Sequence, residues 1–316
     1  MDLSAYIPSL KTIKDDTFQY TFSVFTPAYN AEKTIERVHK SLSNQTFQDF
    51  EWIIINDGST DHSHEVISKM VATSKLNINY VNNLENKHKM ACFLQAVDLA
   101  KGNLFLTFDA DDECFPDALE VFNLEYNTLT DLESQNIIAV TGLCVDQNHK
   151  PIGNQFPTNP LISDPFEIAA IKQVKGEKWG FTSTKHLQSI SYNPCFIENG
   201  FMMEGIIWTL FAKHGFKTKY INTVVRIYHT NNENSISSSG QEKTALGAVI
   251  YHIVLFNWFF KSYALKAPKF FLKNLYFLLS KSNYLDLNLK NYTTSIDPLI
   301  IKLLFVLLWP FRKFFK

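Results

Sequence analysis

A run of apolar, β-prone residues at positions 104–108 is followed at once by carboxylates at Asp109, Asp111 and Asp112. Unpaired carboxylates in an apolar interior are costly, so the strand has to reach the surface at Asp109. In open α/β sheets, this carboxyl edge is where ligands bind. Carboxylates on alternate residues, with a third beside them, suit a hard divalent cation. Taken alone, the motif is equally consistent with a solvated turn or a helix N-cap.

Apolar strands alternate with helical segments through the first 115 residues. Pro27 is expected to stop the first strand and Asn30 to cap the first helix. Strands are predicted at 18–26, 50–56, 78–82 and 104–108, and helices at 30–43, 62–73 and 90–100. Strands that are apolar on both faces and separated by helices are typical of a parallel, doubly wound sheet. Later segments are predicted as strands at 137–143 and 218–228, a loop-rich insertion at 144–178, a helix near 202–213, and helices after a polar linker at 229–240.

The net charge is divided unevenly along the chain. Residues 251–316 carry ten basic and two acidic side chains, a net charge of +8, which leaves −9 for residues 1–250. The four cysteines show no CxxC spacing, which favours buried thiols in a reducing, cytoplasmic compartment. No signal peptide is evident, and no apolar run approaches the roughly 20 residues that a membrane-spanning helix needs.

Three loops follow three of the predicted parallel strands. They read Thr-Pro-Ala-Tyr-Asn at 26–30, Asn-Asp-Gly-Ser-Thr-Asp at 56–61, and Asp-Ala-Asp-Asp at 109–112. In this order and spacing, they closely resemble the nucleotide-sugar signature of the family 2 glycosyltransferases. The resemblance covers roughly the first 115 residues. It implies an α/β fold of the GT-A type, with a doubly wound, mostly parallel sheet, helices on both faces and here a C-terminal helical extension.

The resemblance implies that these loops bind a nucleotide-sugar. Asp57 would accept a hydrogen bond from a uracil or guanine N–H, although a simple Asx turn would also explain this residue. Asp111 would ligate the Mn²⁺ or Mg²⁺ that neutralises the departing diphosphate. Asp112 is either a second metal ligand or a carboxylate at a helix start. The other donor-binding residues implied by the resemblance are Thr26, Pro27 and Tyr29 near the base, Asp109 on the ribose side, and Ala110.

One segment departs from the commonest family pattern. Many members carry an Arg-Asn pair in the helix before the third loop, and the corresponding residues here are Phe93 and Leu94. The Asn-Lys-His-Lys run at 86–89 resembles instead the "GKH" variant of a bacterial subgroup. Lys87 or His88 would then supply a cation near the nucleotide. A solvated loop at the start of a helix is the alternative.

Inverting transfer needs a base that takes the proton from the acceptor hydroxyl. In this family, the base normally belongs to a Glu-Asp pair, eleven residues before a Gly that ends the helix. Glu204 matches this position relative to Gly215, and Met203 replaces the usual Glu. Glu204 is therefore the candidate catalytic base. An exposed Glu favoured by the helix dipole is the alternative, in which case Glu198 is the nearest substitute.

A later segment contains Arg226, Tyr228 and His229, followed by a Ser-Ile-Ser run at 235–237. It resembles the RxYH…SxS element that closes the family's domain. His229 is a candidate to contact the metal or the diphosphate. The Asn- and Ser-rich stretch would suit a lid that excludes water. Sheet packing followed by a polar loop would give the same pattern. The residues predicted on the acceptor side are Trp179, Trp208 and Arg226.

The tail alternates aromatic residues with lysine and arginine. We predict a glycosyltransferase domain at 1–240, with a nucleotide-sugar half at 18–115 and an acceptor half at 116–240, and a helical basic-aromatic extension at 241–316. Apolar residues at helical spacing with flanking cations favour an interfacial helix on anionic lipid. Packing against the catalytic domain or a second subunit, giving a homo-oligomer, is the alternative. Nucleic acid is not an expected partner, because the aromatic residues cluster with aliphatic ones rather than forming a stacking platform.

These features predict an inverting, metal-dependent glycosyltransferase that is cytoplasmic and peripheral on the inner face of the cytoplasmic membrane. The expected donor is a UDP-sugar. The expected acceptor is a glycan hydroxyl on a lipid-linked oligosaccharide of a surface polysaccharide, either capsule or lipopolysaccharide O-chain. A non-catalytic scaffold of polysaccharide assembly is the alternative. A nucleotidyltransferase is disfavoured, because the loop after the first strand lacks the Gly-rich, basic sequence typical of that class.

Overall fold

The computed structural model describes residues 1–13, 17–198, 201–230 and 240–315, and its centre is a large mixed β-sheet. The Ser-Ile-Ser run at 235–237 and most of the predicted lid therefore lie outside the described residues. The strands are β1 (Ser9–Leu10), β2 (Tyr20–Ala28), β3 (Phe50–Asp57), β4 (Ile78–Asn83), β5 (Gly102–Thr107), β6 (Glu113–Cys114), β7 (Ile137–Asp146), β8 (Leu161–Ser163), β9 (Lys178–Ser183), β10 (Ile190–Ser191) and β11 (Lys217–Tyr228).

The central sheet has the order β4-β3-β2-β5-β9-β7-β11-β6, with β8 also paired to β11. Strands β2 to β5 are mutually parallel, and β7 is parallel to β11. Strand β9 runs antiparallel between β5 and β7. The predicted doubly wound, mostly parallel sheet is confirmed. The carboxyl ends of β2, β3 and β5 meet at one edge, which brings the three loops of the sequence signature together.

Helices cover both faces of the sheet. They are α1 (Ile35–Ser43), α2 (Ser63–Thr73), α3 (His88–Leu99), α4 (Ala118–Asn127), α5 (Asp131–Ser134), α6 (Pro165–Ala170), α7 (Thr184–Gln188), α8 (Cys195–Glu198), α9 (Gly205–Lys213), α10 (Gln241–Tyr263), α11 (Pro268–Ser282), α12 (Leu289–Ser295) and α13 (Leu299–Leu308). Short 3₁₀ helices occupy Leu3–Tyr6 and Trp309–Phe314. Within the predicted 144–178 insertion, β8 and α6 are regular elements.

Two local predictions in the first βα unit are wrong. Strand β2 continues through Pro27 to Ala28, because the backbone of Pro27 faces the side on which β5 has already ended at Thr107. The carbonyl of Phe25, which faces the same side, accepts the last bond of that ladder from the Phe108 N–H at 2.7 Å. Asn30 does not cap a helix. It adopts a left-handed conformation with φ of 51°, and α1 starts at Ile35.

The period-two alternation of the strands divides the core into two layers. Val24 and Leu104 face α1, α2 and α4 on one side of the sheet. Phe25 and Phe105 face α3 and α9 on the other side. The second layer does not stop at α9, because buried residues of α10, α11 and α13 belong to the same hydrophobic cluster. The core is therefore continuous across the predicted boundary at residue 240.

Helix α10 is, among the described residues, long and apolar enough to cross a membrane by length and composition. This corrects the expectation that no segment reaches that length. In the structure, 61% of the 18-residue apolar stretch of this helix is buried inside the protein. Val249, Ile253 and Phe256 lie in the core with exposures of 0%. Burial of this kind is what the central helix of a water-soluble core shows.

We predict that the C-terminal helices unfold together with the sheet. Phe256→Ala removes a fully buried ring from α10 and should lower the free energy of unfolding by about 3–5 kcal/mol, in a single urea transition. Leu265→Ala, at a side chain that is 98% exposed, is the matched control and should change it by less than about 0.5 kcal/mol. A separate early transition for the C-terminal helices would contradict a continuous core.

Candidate active site

The loops after β2 and β3 are joined by hydrogen bonds between short polar side chains. Asn30 Oδ1 accepts from the backbone N–H of Thr60 at 2.8 Å, and the Asn30 N–H donates to Ser59 Oγ at 2.9 Å. The Ala31 N–H donates to Ser63 Oγ at 2.7 Å. These bonds explain why Asn30 takes a left-handed conformation instead of capping α1. They also fix the wall of the site beside Tyr29, whose side chain is 49% exposed.

The carboxylate of Asp57 joins the loop after β3 to the loop after β4. It is buried at the end of β3 and accepts the backbone N–H of Lys87 at 2.7 Å. The next residue, Gly58, has φ of +67°, and a Cβ there would lie 2.6 Å from the Asn86 nitrogen. Only glycine allows the loops after β3 and β4 to approach this closely. Asp57 is therefore fixed by the loop that carries Lys87 and His88.

Asp109 lies between two cations at the end of β5. Its Oδ1 is 2.8 Å from Lys89 Nζ, and its Oδ2 is 2.7 Å from Arg226 Nη2. Burial disfavours the ionised carboxylate, but the two cations outweigh burial and hold the pKa of Asp109 well below its usual value. Asp109 is therefore an anion whose charge is already balanced.

Asp112 is fully buried beneath this turn. It pairs with Arg226 Nη2, and its Oδ1 accepts the backbone N–H of His229 at 2.8 Å. Burial raises the pKa of Asp112 to about 6, although Arg226 and the His229 N–H favour the ionised form. The bond to His229 anchors the end of β11 against the acidic turn. Asp112 thus acts in the structure as an internal ion-pair partner rather than as a helix-start carboxylate.

Glu204 belongs to the same ionic cluster. Its Oε1 is 3.0 Å from Lys89 Nζ, so one ammonium group bridges Glu204 and Asp109. Burial opposes the charge on Lys89, yet the two carboxylates outweigh burial and hold its pKa above the usual value. Glu204 lies at the N-cap position of α9 and its side chain is 32% exposed. Glu204 thus combines a position fixed by Lys89 with access to solvent.

His229 lies on the other side of the acidic turn. Its Nε2 is 2.8 Å from Glu113 Oε1, and Arg37 Nη1 is 3.0 Å from its Nδ1. Arg37 also donates through Nη2 to the backbone carbonyl of Asp111. The guanidinium from α1 thus ties the turn to the end of β11. Asp111 and His229 are held at the same end of the site.

Several residues from the sequence prediction have interior positions. Thr26 is fully buried and its Oγ1 accepts from Trp52 Nε1 at 2.9 Å, so its hydroxyl is engaged in the core. Ala110 is 9% exposed. Pro27 is half-buried in β2, and His88 is exposed at the start of α3 with φ of 68°. The cation that reaches the carboxylates is Lys89, not Lys87 or His88.

The structure revises the acceptor-side predictions. Trp179 is 3% exposed, and its indole N–H donates to the Thr107 carbonyl at 2.6 Å within the core. Arg226 is 3% exposed and engaged by Asp109 and Asp112. Trp208 is half-buried and packs edge-on against Phe93, with 6.1 Å between ring centroids. Long-range pairing gives these three side chains internal partners that the sequence pattern does not reveal.

Sequence reasoning missed Lys89 and Arg37 as residues of this ionic cluster. Arg226, expected on the acceptor side, pairs with Asp109 and Asp112. Lys89 lies in the Asn-Lys-His-Lys run, two residues after Lys87, and one helical turn before Phe93. His88 shares the first turn of α3 with Lys89, so the local sequence does not show which of the two faces the carboxylates. Arg37 carries no local signal, because its partners are the Asp111 carbonyl and His229.

A metal at this turn would have few protein ligands. Among residues 1–13, 17–198, 201–230 and 240–315, no group of three or more His, Cys, Asp and Glu side chains is arranged to hold a metal ion. Asp109 and Asp112 are engaged by cations. Mg²⁺ is commonly bound through one or two carboxylates together with substrate phosphates. Both ring nitrogens of His229 are already engaged, Nε2 with Glu113 and Nδ1 with Arg37, so a metal at His229 would have to displace one of these contacts.

Comparison with known proteins agrees with the geometry. Residues 23–176 match the family described as glycosyl transferase family 2. An uncharacterized glycosyltransferase of Haemophilus influenzae is 34% identical over 155 residues, which span 45% of this chain and 43% of that protein. The GalNAc(5)-diNAcBac-PP-undecaprenol beta-1,3-glucosyltransferase of Campylobacter jejuni is 26% identical over 239 residues, 74% of this chain and 72% of that enzyme.

The fold is also found among solved structures. The structure of S. aureus TarS residues 1–349 in complex with UDP-GlcNAc matches with a TM-score of 0.56 and 17% identity, covering 93% of this chain and 87% of that chain. At this identity the match concerns the fold, and coverage of 93% of the chain extends into the helices after the sheet. Residues 23–176 therefore carry a family 2 glycosyltransferase domain, and the architecture of the chain is that of the GT-A fold.

Proposed function

We propose that the protein transfers a sugar from a UDP-sugar to a hydroxyl group of a glycan, with inversion at the anomeric carbon and with a divalent cation. The observation that carries this proposal is Lys89, whose ammonium group bridges Asp109 and Glu204. One cation thus joins the carboxylate proposed for the donor's ribose to the carboxylate proposed as base. The acceptor is a lipid-linked oligosaccharide of a surface polysaccharide, reached at the inner face of the cytoplasmic membrane. The undecaprenol-linked substrate in the name of the Campylobacter relative supports this choice.

The donor would lie along the loops after β2, β3 and β5. Asp57 would accept an N–H from the base, and the half-exposed ring of Tyr29 offers a flat surface beside it. The loops that carry these residues are already joined by hydrogen bonds, so little ordering remains when the nucleotide binds. The UDP-GlcNAc complex of the structurally similar TarS supports a uridine nucleotide.

The acidic turn would receive the diphosphate. Asp111 and His229 would hold Mn²⁺ or Mg²⁺, which supplies positive charge to the departing diphosphate. Arg37, 3.0 Å from His229, adds a fixed positive charge at the same end of the site. Asp109 and Asp112 are balanced by their own cations, so the turn does not repel an anionic ligand as strongly as three free carboxylates would.

Glu204 would act as the base. As the acceptor oxygen forms its bond to the anomeric carbon, its proton passes to Glu204, and the bond from that carbon to the diphosphate oxygen breaks with the electron pair leaving on the nucleotide. Lys89 holds the Glu204 carboxylate in place through the 3.0 Å ion pair. The alternative base, Glu198, lies in α8, which packs against the N-terminal 3₁₀ turn and α3, whereas Lys89 pairs with Glu204 and Asp109.

We predict that Glu204→Gln lowers kcat by about 10²–10⁴-fold, because the amide cannot accept the acceptor's proton. Binding of UDP should be retained within a few-fold. Glu198→Gln is the matched control and should keep wild-type turnover. The measurement is release of UDP from a UDP-sugar with a lipid-linked glycan acceptor. Full turnover by Glu204→Gln would contradict the assignment of the base.

Donor binding provides a test that does not depend on the acceptor. Calorimetry with UDP, GDP, CDP and TDP, with and without Mn²⁺, should show tight, Mn²⁺-dependent binding of UDP. Asp57→Asn should weaken this binding by about tenfold or more, since a hydrogen bond to a charged group is lost. Asp111→Asn should abolish the Mn²⁺ dependence, and Asp117→Asn, at an exposed position, should change nothing. If none of the four nucleotides binds, the proposal fails and a non-catalytic scaffold is favoured.

Arg226 has a positioning role in this proposal. Arg226→Met would leave Asp112 buried without its cation, and we predict a loss of about 3–5 kcal/mol in the free energy of unfolding at pH 7. Adding Asp112→Asn to that variant should restore part of the loss, because the uncompensated charge is removed. Urea unfolding of the two single variants and the double variant measures this coupling. Additive effects of the two substitutions would contradict it.

A further inference from the structure

Helix α13 is apolar on both of its faces. Ile301 and Phe305 are buried, and the Phe305 ring packs on Tyr292 of α12 with 5.3 Å between centroids. On the opposite side, five aliphatic side chains are 40–67% exposed, namely Leu299, Ile300, Leu303, Val306 and Leu307. Their spacing forms one continuous stripe along the helix. A surface helix of a water-soluble protein normally presents polar residues there.

The stripe continues into the 3₁₀ turn that follows α13. Phe311 is 55% exposed and Phe314 is 83% exposed. We call these seven side chains, the five on α13 and the two phenylalanines, the C-terminal apolar face. Exposed apolar surface of this extent marks a binding site for another protein or a membrane. Within the described residues, the turn is held to α11 by the Phe315 ring, 5.5 Å from that of Tyr276.

Cations surround the C-terminal apolar face. Lys302 lies on α13 between the buried side and the exposed stripe, and Arg312 and Lys313 lie in the following turn. Lys269 and Lys273 are exposed on α11, the helix against which that turn packs. Residues 251–316 contain only two acids, Asp286 and Asp297. The surface therefore combines apolar side chains with a positive rim, which is the complement of an anionic lipid bilayer.

We propose that the C-terminal apolar face lies in the interfacial region of a bilayer that contains anionic lipids. Leu303 and Leu307 lie near the middle of the stripe and enter the boundary of the acyl chains, while Lys302, Arg312 and Lys313 contact the phosphates. A second copy of the chain is a poorer occupant, because a two-fold interface would bring the same cations together. This inference does not rest on the proposed sugar-transfer chemistry, since a protein with no turnover would bind the membrane equally.

The test is co-sedimentation of the full chain with vesicles. Wild type should bind phosphatidylcholine vesicles that contain about one third phosphatidylglycerol, bind pure phosphatidylcholine weakly, and lose affinity as salt rises. The triple variant Ile300→Gln, Leu303→Gln and Leu307→Gln should bind at least about tenfold more weakly. The matched control substitutes exposed apolar residues on α2, α4 and α5, namely Val71→Gln, Leu124→Gln and Leu132→Gln, and should bind like wild type.

Both triple variants change exposed side chains, so thermal unfolding should match wild type and UDP binding should be retained. Retained UDP binding separates failure of this proposal from failure of the proposed function. A second variant, Lys302→Gln, Arg312→Gln and Lys313→Gln, should lose the preference for anionic vesicles. Equal vesicle binding by wild type and the α13 variant would overturn the proposal. So would absent vesicle binding with a concentration-dependent dimer in sedimentation velocity that the α13 variant abolishes.

Discussion

Two cations hold together the sheet edge at which the carboxyl ends of β2, β3 and β5 meet. Arg226 from β11 and Lys89 from α3 share the carboxylates of Asp109, Asp112 and Glu204. Removing these charges from water is unfavourable unless each one meets an opposite charge in good geometry. The cluster therefore requires β5, β11, α3 and α9 to be correctly placed at the same time. The ion pairs of this cluster can therefore form only when the fold itself is formed.

The same cluster explains why the proposed donor site needs the second half of the chain. Strand β11 pairs antiparallel with β6 immediately after the acidic turn, with Arg226 opposite Cys114 and Ile227 opposite Glu113. The residues that balance and anchor the turn are Arg226 in this strand and His229 directly after it. The signature loops of the first 115 residues are thus incomplete by themselves. The cation that balances their carboxylates, Arg226, lies more than 100 residues later in the chain.

The C-terminal helices extend this arrangement outward. Helix α10 packs on α9, α11 packs on α10, and α13 packs on α11 and α12, so the core grows away from the sheet. Each added helix has to bury an apolar face. The outermost helix, α13, still has an apolar face directed outward, with cations around it. A lipid surface would complete the same series of buried apolar layers.

The sequence by itself determined the elements around the donor loops. Short apolar runs and helical spacing are local signals, so they predict β2 to β5, α2 and α3 to within two residues. Glu204 as the base stays a prediction from the match to the family pattern before Gly215. Only the tertiary structure decided which side chains contact each other. Pro27 remains in its strand because β5 has already ended, and Asn30 turns left-handed because Thr60 is near. Trp179 and Arg226 are internal, and Lys89 rather than Lys87 reaches Asp109, because ion pairs and packing join residues that are distant in the chain.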